Sequence, residues 1–251
     1  MKAIVTLALT SYREMIRERV VLVIAALALF LVFLSLLLGQ FTFDESERLL
    51  ADLGWAATEL GAVAVALFSG SFLLARELDR QTCLLILSKP VSRTQFLIGK
   101  WAGTFLLLLS LVLVMSLTMA ALLGRFSAPL WIIAASILCK SLILLSWALF
   151  ASTLVRPTLA LLSGVCLYLL GHWLGDLTYF AEKSADPAAV EIMRAARWLV
   201  PNFDLFNWKD HFHLVNPPSS RDIIGMCLQG AAWVVIWLAA AGAVFRRKDL
   251  V

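Results

Sequence analysis

Residues 20–38 read VVLVIAALALFLVFLSLLL, an unbroken apolar run without a single charge. A helix crossing the hydrocarbon core of a bilayer needs about 20 mostly apolar residues, and this run is that long. Working outward, five more stretches qualify: 55–75, 96–123, 130–155, 158–175 and 223–245. Their interiors are interrupted only by Glu59, Lys100 and Lys140. The fifth is the shortest and carries His172 close to its outer end. The whole composition agrees. Of 251 residues, 61% are hydrophobic and 15% charged, whereas a soluble domain is about half apolar and about a quarter charged. Mean hydropathy is +0.89. Disorder is excluded, because disordered chains are poor in apolar residues. A disulfide-stapled secreted scaffold is excluded by four sparse cysteines. Three of them, Cys139, Cys166 and Cys227, fall in spans, and no disulfide is expected. The expected fold is an all-α integral membrane protein of six transmembrane helices, forming one domain over residues 1–251.

Sidedness follows from lysine and arginine in the loops. Six spans put both termini on one side. If that side is the cytoplasm, the inner segments carry 13 basic and 5 acidic residues and the outer ones 7 basic and 11 acidic. The formal net charge of +4 thus splits into about +8 inside and −4 outside. It is a topology signal, and no nucleic-acid partner is expected. The first span exceeds the 7–15 residues typical of a signal-peptide core and lacks a small-residue cleavage site, so it reads as a retained anchor.

Three segments flank the spans. Residues 1–19 carry Ile4, Leu7, Ala8, Ser11 and Met15 at helical spacing beside Arg13, Glu14, Arg17 and Glu18. That pattern predicts an amphipathic helix at the inner interface. The outer segment 176–222 offers Asp186–Pro187 as a helix start. It is also rich in aromatics, with Trp198, Phe203, Phe206, Trp208 and Phe212. Such residues favour the membrane boundary, so short outer helices folded onto that boundary are expected. Small residues Gly61, Gly70 and Ser71 mark a close-packing face on the second span.

The inner loop 76–100 reads RELDRQTCLLILSKPVSRTQFLIGK. A charged start leads into an apolar run, a turn at Ser88–Lys89–Pro90, and a second amphipathic stretch entering the third span. This is a short helix–turn–helix on the cytoplasmic face. Its Glu77, Thr82, apolar 84–87, Pro90–Val91–Ser92–Arg93, Phe96 and Gly99–Lys100 resemble the signature of ABC type-2 transporter permeases. The amphipathic N-terminus, six spans and long segment between spans five and six share that family's layout.

The resemblance implies an exporter subunit that forms its path as a dimer in the bacterial cytoplasmic (inner) membrane, with cytosolic ATPase subunits as partners. It implies that Glu77 and Thr82 begin the coupling element, that Pro90 sets its turn, and that Arg93 and Lys100 anchor it. Arg13, Glu14 and Arg17 would form a second ATPase contact. No cofactor is expected in this chain, and ATP and Mg belong to the partner. Gly99–Lys100 is followed by Trp101, and no glycine stands five residues before Gly99. A phosphate-binding loop needs both features.

Two ions remain inside the membrane, and such residues are functional candidates by default. Glu59 is 17 positions from inner-edge Arg76 and Lys140 is 16 from Arg156, about 25 and 24 Å at 1.5 Å per residue. Equal depth and opposite sign predict a charge pair. His172 reads as a polar interface residue. His211 and His213, with Asp210, form a weak metal-site candidate, because a His-x-His pair lacks further ligands at a recognised spacing.

Two other function classes compete. A membrane-embedded lipid-modifying enzyme would have to use His211, His213, Asp204 and Asp210, which show no recognisable catalytic arrangement. An ion-driven secondary transporter would show internal repeats and broken helices, and none is legible. The apolar spans leave room for a lipid or amphipathic cargo, but lipid exposure yields the same composition.

Overall fold

A computed structural model describes residues 2–40, 46–79, 92–184, 186–211 and 219–247. The described residues are 91% helical, and no strand occurs among them. In a bilayer every backbone N–H and C=O must be satisfied within the protein, which leaves the helix as the natural solution for a single apolar segment. In chain order the helices are α1 (Lys2–Met15), α2 (Arg19–Gly39), α3 (Ser46–Asp79), α4 (Arg93–Leu122) and α5 (Ala128–Leu154). Then come α6 (Pro157–Lys183), α7 (Pro187–Leu199), two 3-10 turns (Asp204–Phe206 and Trp208–His211) and α8 (Ser220–Arg247). Six of these, α2 to α6 and α8, are long and apolar enough to span a membrane.

Local sequence explains the ends. Ser92 and Gln95 form a reciprocal capping box at the start of α4. At its other end Gly124 takes φ +63°, while Gly124 N–H and Arg125 N–H donate to Ala121 O and Ala120 O. A glycine in the left-handed region closing those two bonds is the Schellman stop. Pro129 and Pro157 stand in the first turns of α5 and α6, where a missing N–H costs nothing. Asp186 accepts from Ala188 N–H ahead of Pro187, starting α7.

The sequence boundaries need two corrections. The second span is the middle of a 34-residue helix that begins at Ser46. The fifth is not the shortest: α6 has 27 residues and α2 has 21. Apolar counting stops at Asp176, but a helix ends only where its backbone bonding ends, and here that is Ser184.

α3 and α5 are the central pair: within the most apolar 18-residue stretch of each, 72% and 67% of the residues are buried, against 11% in that of α8. α2 runs antiparallel along α3, with Ala28 against Gly61. Gly70 of α3 meets Ala148 and the Leu145 carbonyl of α5. α1 runs side by side with the first turns of α4: Gly99 abuts Leu7, and Gly103 abuts Ser11 and Ala8. Its buried stripe, Ala8, Ser11 and Met15, is therefore taken by α4.

A Cβ at Gly103 would lie 2.5 Å from Ser11 Cβ and 2.6 Å from the Ala8 carbonyl oxygen, whereas one at Gly225 meets nothing within 4 Å. Overpacking of this kind costs about 1–3 kcal/mol. Gly103→Leu should therefore lower the thermal unfolding midpoint of the purified protein by several degrees, while Gly225→Ala, unobstructed within its helix, does not lower it. Equal behaviour of the two variants would contradict the α1–α4 packing.

Candidate functional site

Glu59 of α3 is the centre of a buried polar cluster. It is 1% exposed, and Lys140 of α5 is fully buried. Lys140 Nζ donates to Glu59 Oε1 at 2.5 Å. Tyr168 Oη, from α6, donates to the same oxygen at 3.1 Å. Lys209 Nζ, from the second 3-10 turn, donates to Oε2 at 2.7 Å. His172, four residues after Tyr168 and so on the same face of α6, places Nε2 3.2 Å from Lys140 Nζ and 3.4 Å from Glu59 Oε1. Its Nδ1 lies 3.3 Å from the Tyr168 carbonyl oxygen. A carbonyl only accepts and an ammonium only donates. Nδ1 is thus the protonated nitrogen, and Nε2 accepts from Lys140.

Local packing explains how Lys209 arrives there from the segment between α7 and α8. Phe203 and Phe206 are buried to 0% and 1% exposure. Phe203 N–H donates to Gly171 O, and its ring fills the space that the absent Gly171 side chain leaves. The Trp208 indole reaches Met226 Sδ of α8. The aromatic residues between 203 and 208 thus wedge among α5, α6 and α8 and carry Lys209 inward.

Sequence reasoning missed three members of this cluster. His172 is a correction: it touches the charged pair instead of acting as a peripheral interface residue. Tyr168 and His172 had a legible signal, two polar residues at i and i+4 on an apolar helix. Lys209 had none beyond its place in an aromatic run.

Electrostatically, one carboxylate stands between two ammonium groups. Burying an ion costs several kcal/mol, which its partners repay only with good geometry and full hydrogen bonding. Both Glu59 oxygens are engaged here. The cluster ties α3, α5, α6 and the 3-10 segment together.

The second group of candidates lies at the α1 end. Lys100 is buried, and its Nζ pairs with Glu14 Oε2 of α1 at 3.2 Å. Arg93 Nη1 donates at 3.3 Å to the carbonyls of Phe245 and Arg246 at the end of α8, where the helix dipole favours a cation. Arg13 and Arg17 are exposed. Glu77 lies near the end of α3. Thr82 and Pro90 lie outside the described residues, as does His213. His211 ends the second 3-10 turn and Asp204 begins the first. No group of metal-binding side chains occurs among the described residues.

Six long apolar helices around a buried, hydrogen-bonded charge cluster define a multi-span α-helical membrane protein with a polar device in its core. Residues 5–250 match the model of the family described as ABC-2 family transporter protein. The chain belongs to that family, and its role is that of a membrane permease in ABC transport. No curated protein matches it.

Removing one partner of a buried pair costs about 3–5 kcal/mol, because the other charge stays buried. Glu59→Ala leaves Lys140 without a carboxylate and should depress the unfolding midpoint strongly. Lys209→Ala should cost less, since Lys209 is half-buried and Glu59 keeps Lys140 and Tyr168. Glu59→Leu combined with Lys140→Leu should recover much of the loss. Thermal unfolding of the three variants in detergent checks the order, and a double variant as unstable as Glu59→Ala would contradict it.

Proposed function

We propose that this chain is the membrane-spanning subunit of an ATP-driven exporter. Two copies form the path, and separate cytosolic ATPase subunits supply the energy. The family match over residues 5–250 carries this reading. The chain would act as a single permease domain over 1–251 in a bacterial cytoplasmic membrane, with both termini cytoplasmic. ATP and Mg would be bound by the partner.

Segment 76–100 would contact the ATPase through Glu77 and Thr82, with Pro90 setting its turn. Two continuous helices leave that segment. α3 runs from Glu77 to Glu59 without a break, about 27 Å of stiff rod at 1.5 Å per residue. A push at the ATPase end would therefore be felt at the buried cluster. α4 carries α1 with it through the Lys100–Glu14 pair and the close contacts at Gly99 and Gly103. Arg93 adds the end of α8 to the same moving unit. In the state described, the cluster holds α3, α5, α6 and the Lys209 segment together. Export would require these elements to part and re-form in each cycle.

The chain purified from its native membrane in mild detergent should bring a cytosolic ABC ATPase with it. Glu77→Arg should weaken that association. Lys100→Met should leave the association intact but lower transport per ATP hydrolysed, because α1 no longer follows α4. If no ATPase accompanies the chain, and Glu77→Arg leaves transport intact, the reading fails.

A further inference from the structure

A cavity of about 470 Å³ opens between α1, α2 and α4. Its walls include Tyr12 of α1, Ile16 of the turn that follows, Leu22 and Ala25 of α2, and Leu111 and Val114 of α4. Ser110, a hydroxyl in this lining, already donates to Leu107 O within its own helix. Ile16, Leu22 and Val114 are 40%, 51% and 54% exposed, so the groove is open on the bundle surface. In a membrane that surface faces lipid. Water finds too few polar partners in such a groove to remain there, so an acyl chain is its natural filling.

A tail alone would not be retained, because one hydrocarbon environment is as good as another. Selectivity must come from a headgroup. At the α1 end of the groove the chain turns from α1 into α2, and it carries exposed Arg13, Arg17 and Arg19 around Ile16. Of the two acids in this turn, Glu14 is answered by Lys100. Three arginines against Glu18 leave the mouth positive. Guanidinium groups match phosphate oxygens in a bidentate fork, and basic residues beside a span attract anionic lipids. α1 also presents a second apolar stripe, exposed Val5 and Leu9, which exposed Ile16 continues in the turn after it. That stripe would seat the helix in the interface, with the arginines at headgroup depth.

We propose that this groove holds an acyl chain of one anionic phospholipid from the leaflet on the α1 side, with its phosphate held by Arg13, Arg17 and Arg19. The lipid wedges between α2 and the α1–α4 unit, so the freedom of that unit depends on membrane composition. This gives Arg13 and Arg17 a lipid partner in place of the ATPase contact that the family resemblance implies. It does not depend on the export reading, because it concerns lipid binding by the chain itself.

Native mass spectrometry of the full chain in mild detergent tests it. The probes are palmitoyl-oleoyl phosphatidylglycerol and the phosphatidylcholine with the same tails, added in equal amounts. Wild type should retain the glycerol lipid over the choline lipid by at least about fivefold, the order expected of one or two arginine–headgroup contacts. Arg13→Gln, Arg17→Gln and Arg19→Gln combined should bring the ratio near one. Ala25→Trp, which fills the groove, should lower retention of both lipids. If it does not fold by circular dichroism, Leu22→Trp at the open rim replaces it. Equal retention of the two lipids by wild type overturns the proposal, as does unchanged retention in the folded tryptophan variant. A triple variant that keeps its lipid preference but loses a co-purifying ATPase assigns the arginines to that protein and overturns it too. So does a tryptophan variant that changes only the oligomeric state, which would make the groove a contact between two copies.

Discussion

A carboxylate in the centre of an apolar bundle has to be answered, and the arrangement around Glu59 is that answer. Its two oxygens take hydrogen bonds from Lys140, Lys209 and Tyr168, and His172 closes the far side of Lys140. These groups come from two further helices and one 3-10 turn. The requirement to satisfy one buried charge therefore sets the mutual position of α3, α5, α6 and the segment around residues 203–209. The aromatic wedge of Phe203 and Phe206, seated against Gly171 and Gly230, carries Lys209 to that charge.

At the opposite end the tie is different in kind. α1 is held to α4 by backbone proximity at Gly99 and Gly103 and by the Lys100–Glu14 ion pair. The contact is mostly steric. It makes α1 and α4 a single body, and Arg93 adds the end of α8 to it. α3 is continuous from this end to Glu59. The proposed export role would call for a mechanical path from an energy source at one face to a closure near the other. The stiff helices between the two polar clusters would provide it.

The six spans were legible because lipid demands long apolar runs, and a run can be counted. The opposite charges at Glu59 and Lys140 were legible because helical rise turns sequence distance into depth. The capping signals at Asp186–Pro187 were legible because caps are local. The length of α6 past Asp176 was not, because a polar residue ends an apolar count without ending a helix. Nor was the place of Lys209. It is separated from Glu59 by 150 positions, and no periodicity links a loop lysine to a carboxylate on another element.

By itself the sequence determined the solvent this protein lives in, the number of its spans and the family signature in its inner loop. Each of these depends on residues near one another in the chain. Tertiary structure alone decided which helices are central, that α1 spends its buried face on α4, and that Lys209, Tyr168 and His172 converge on Glu59. Those outcomes depend on which surfaces fit together once the helices exist, and in a bilayer that choice falls to packing and to the need to neutralise buried charge.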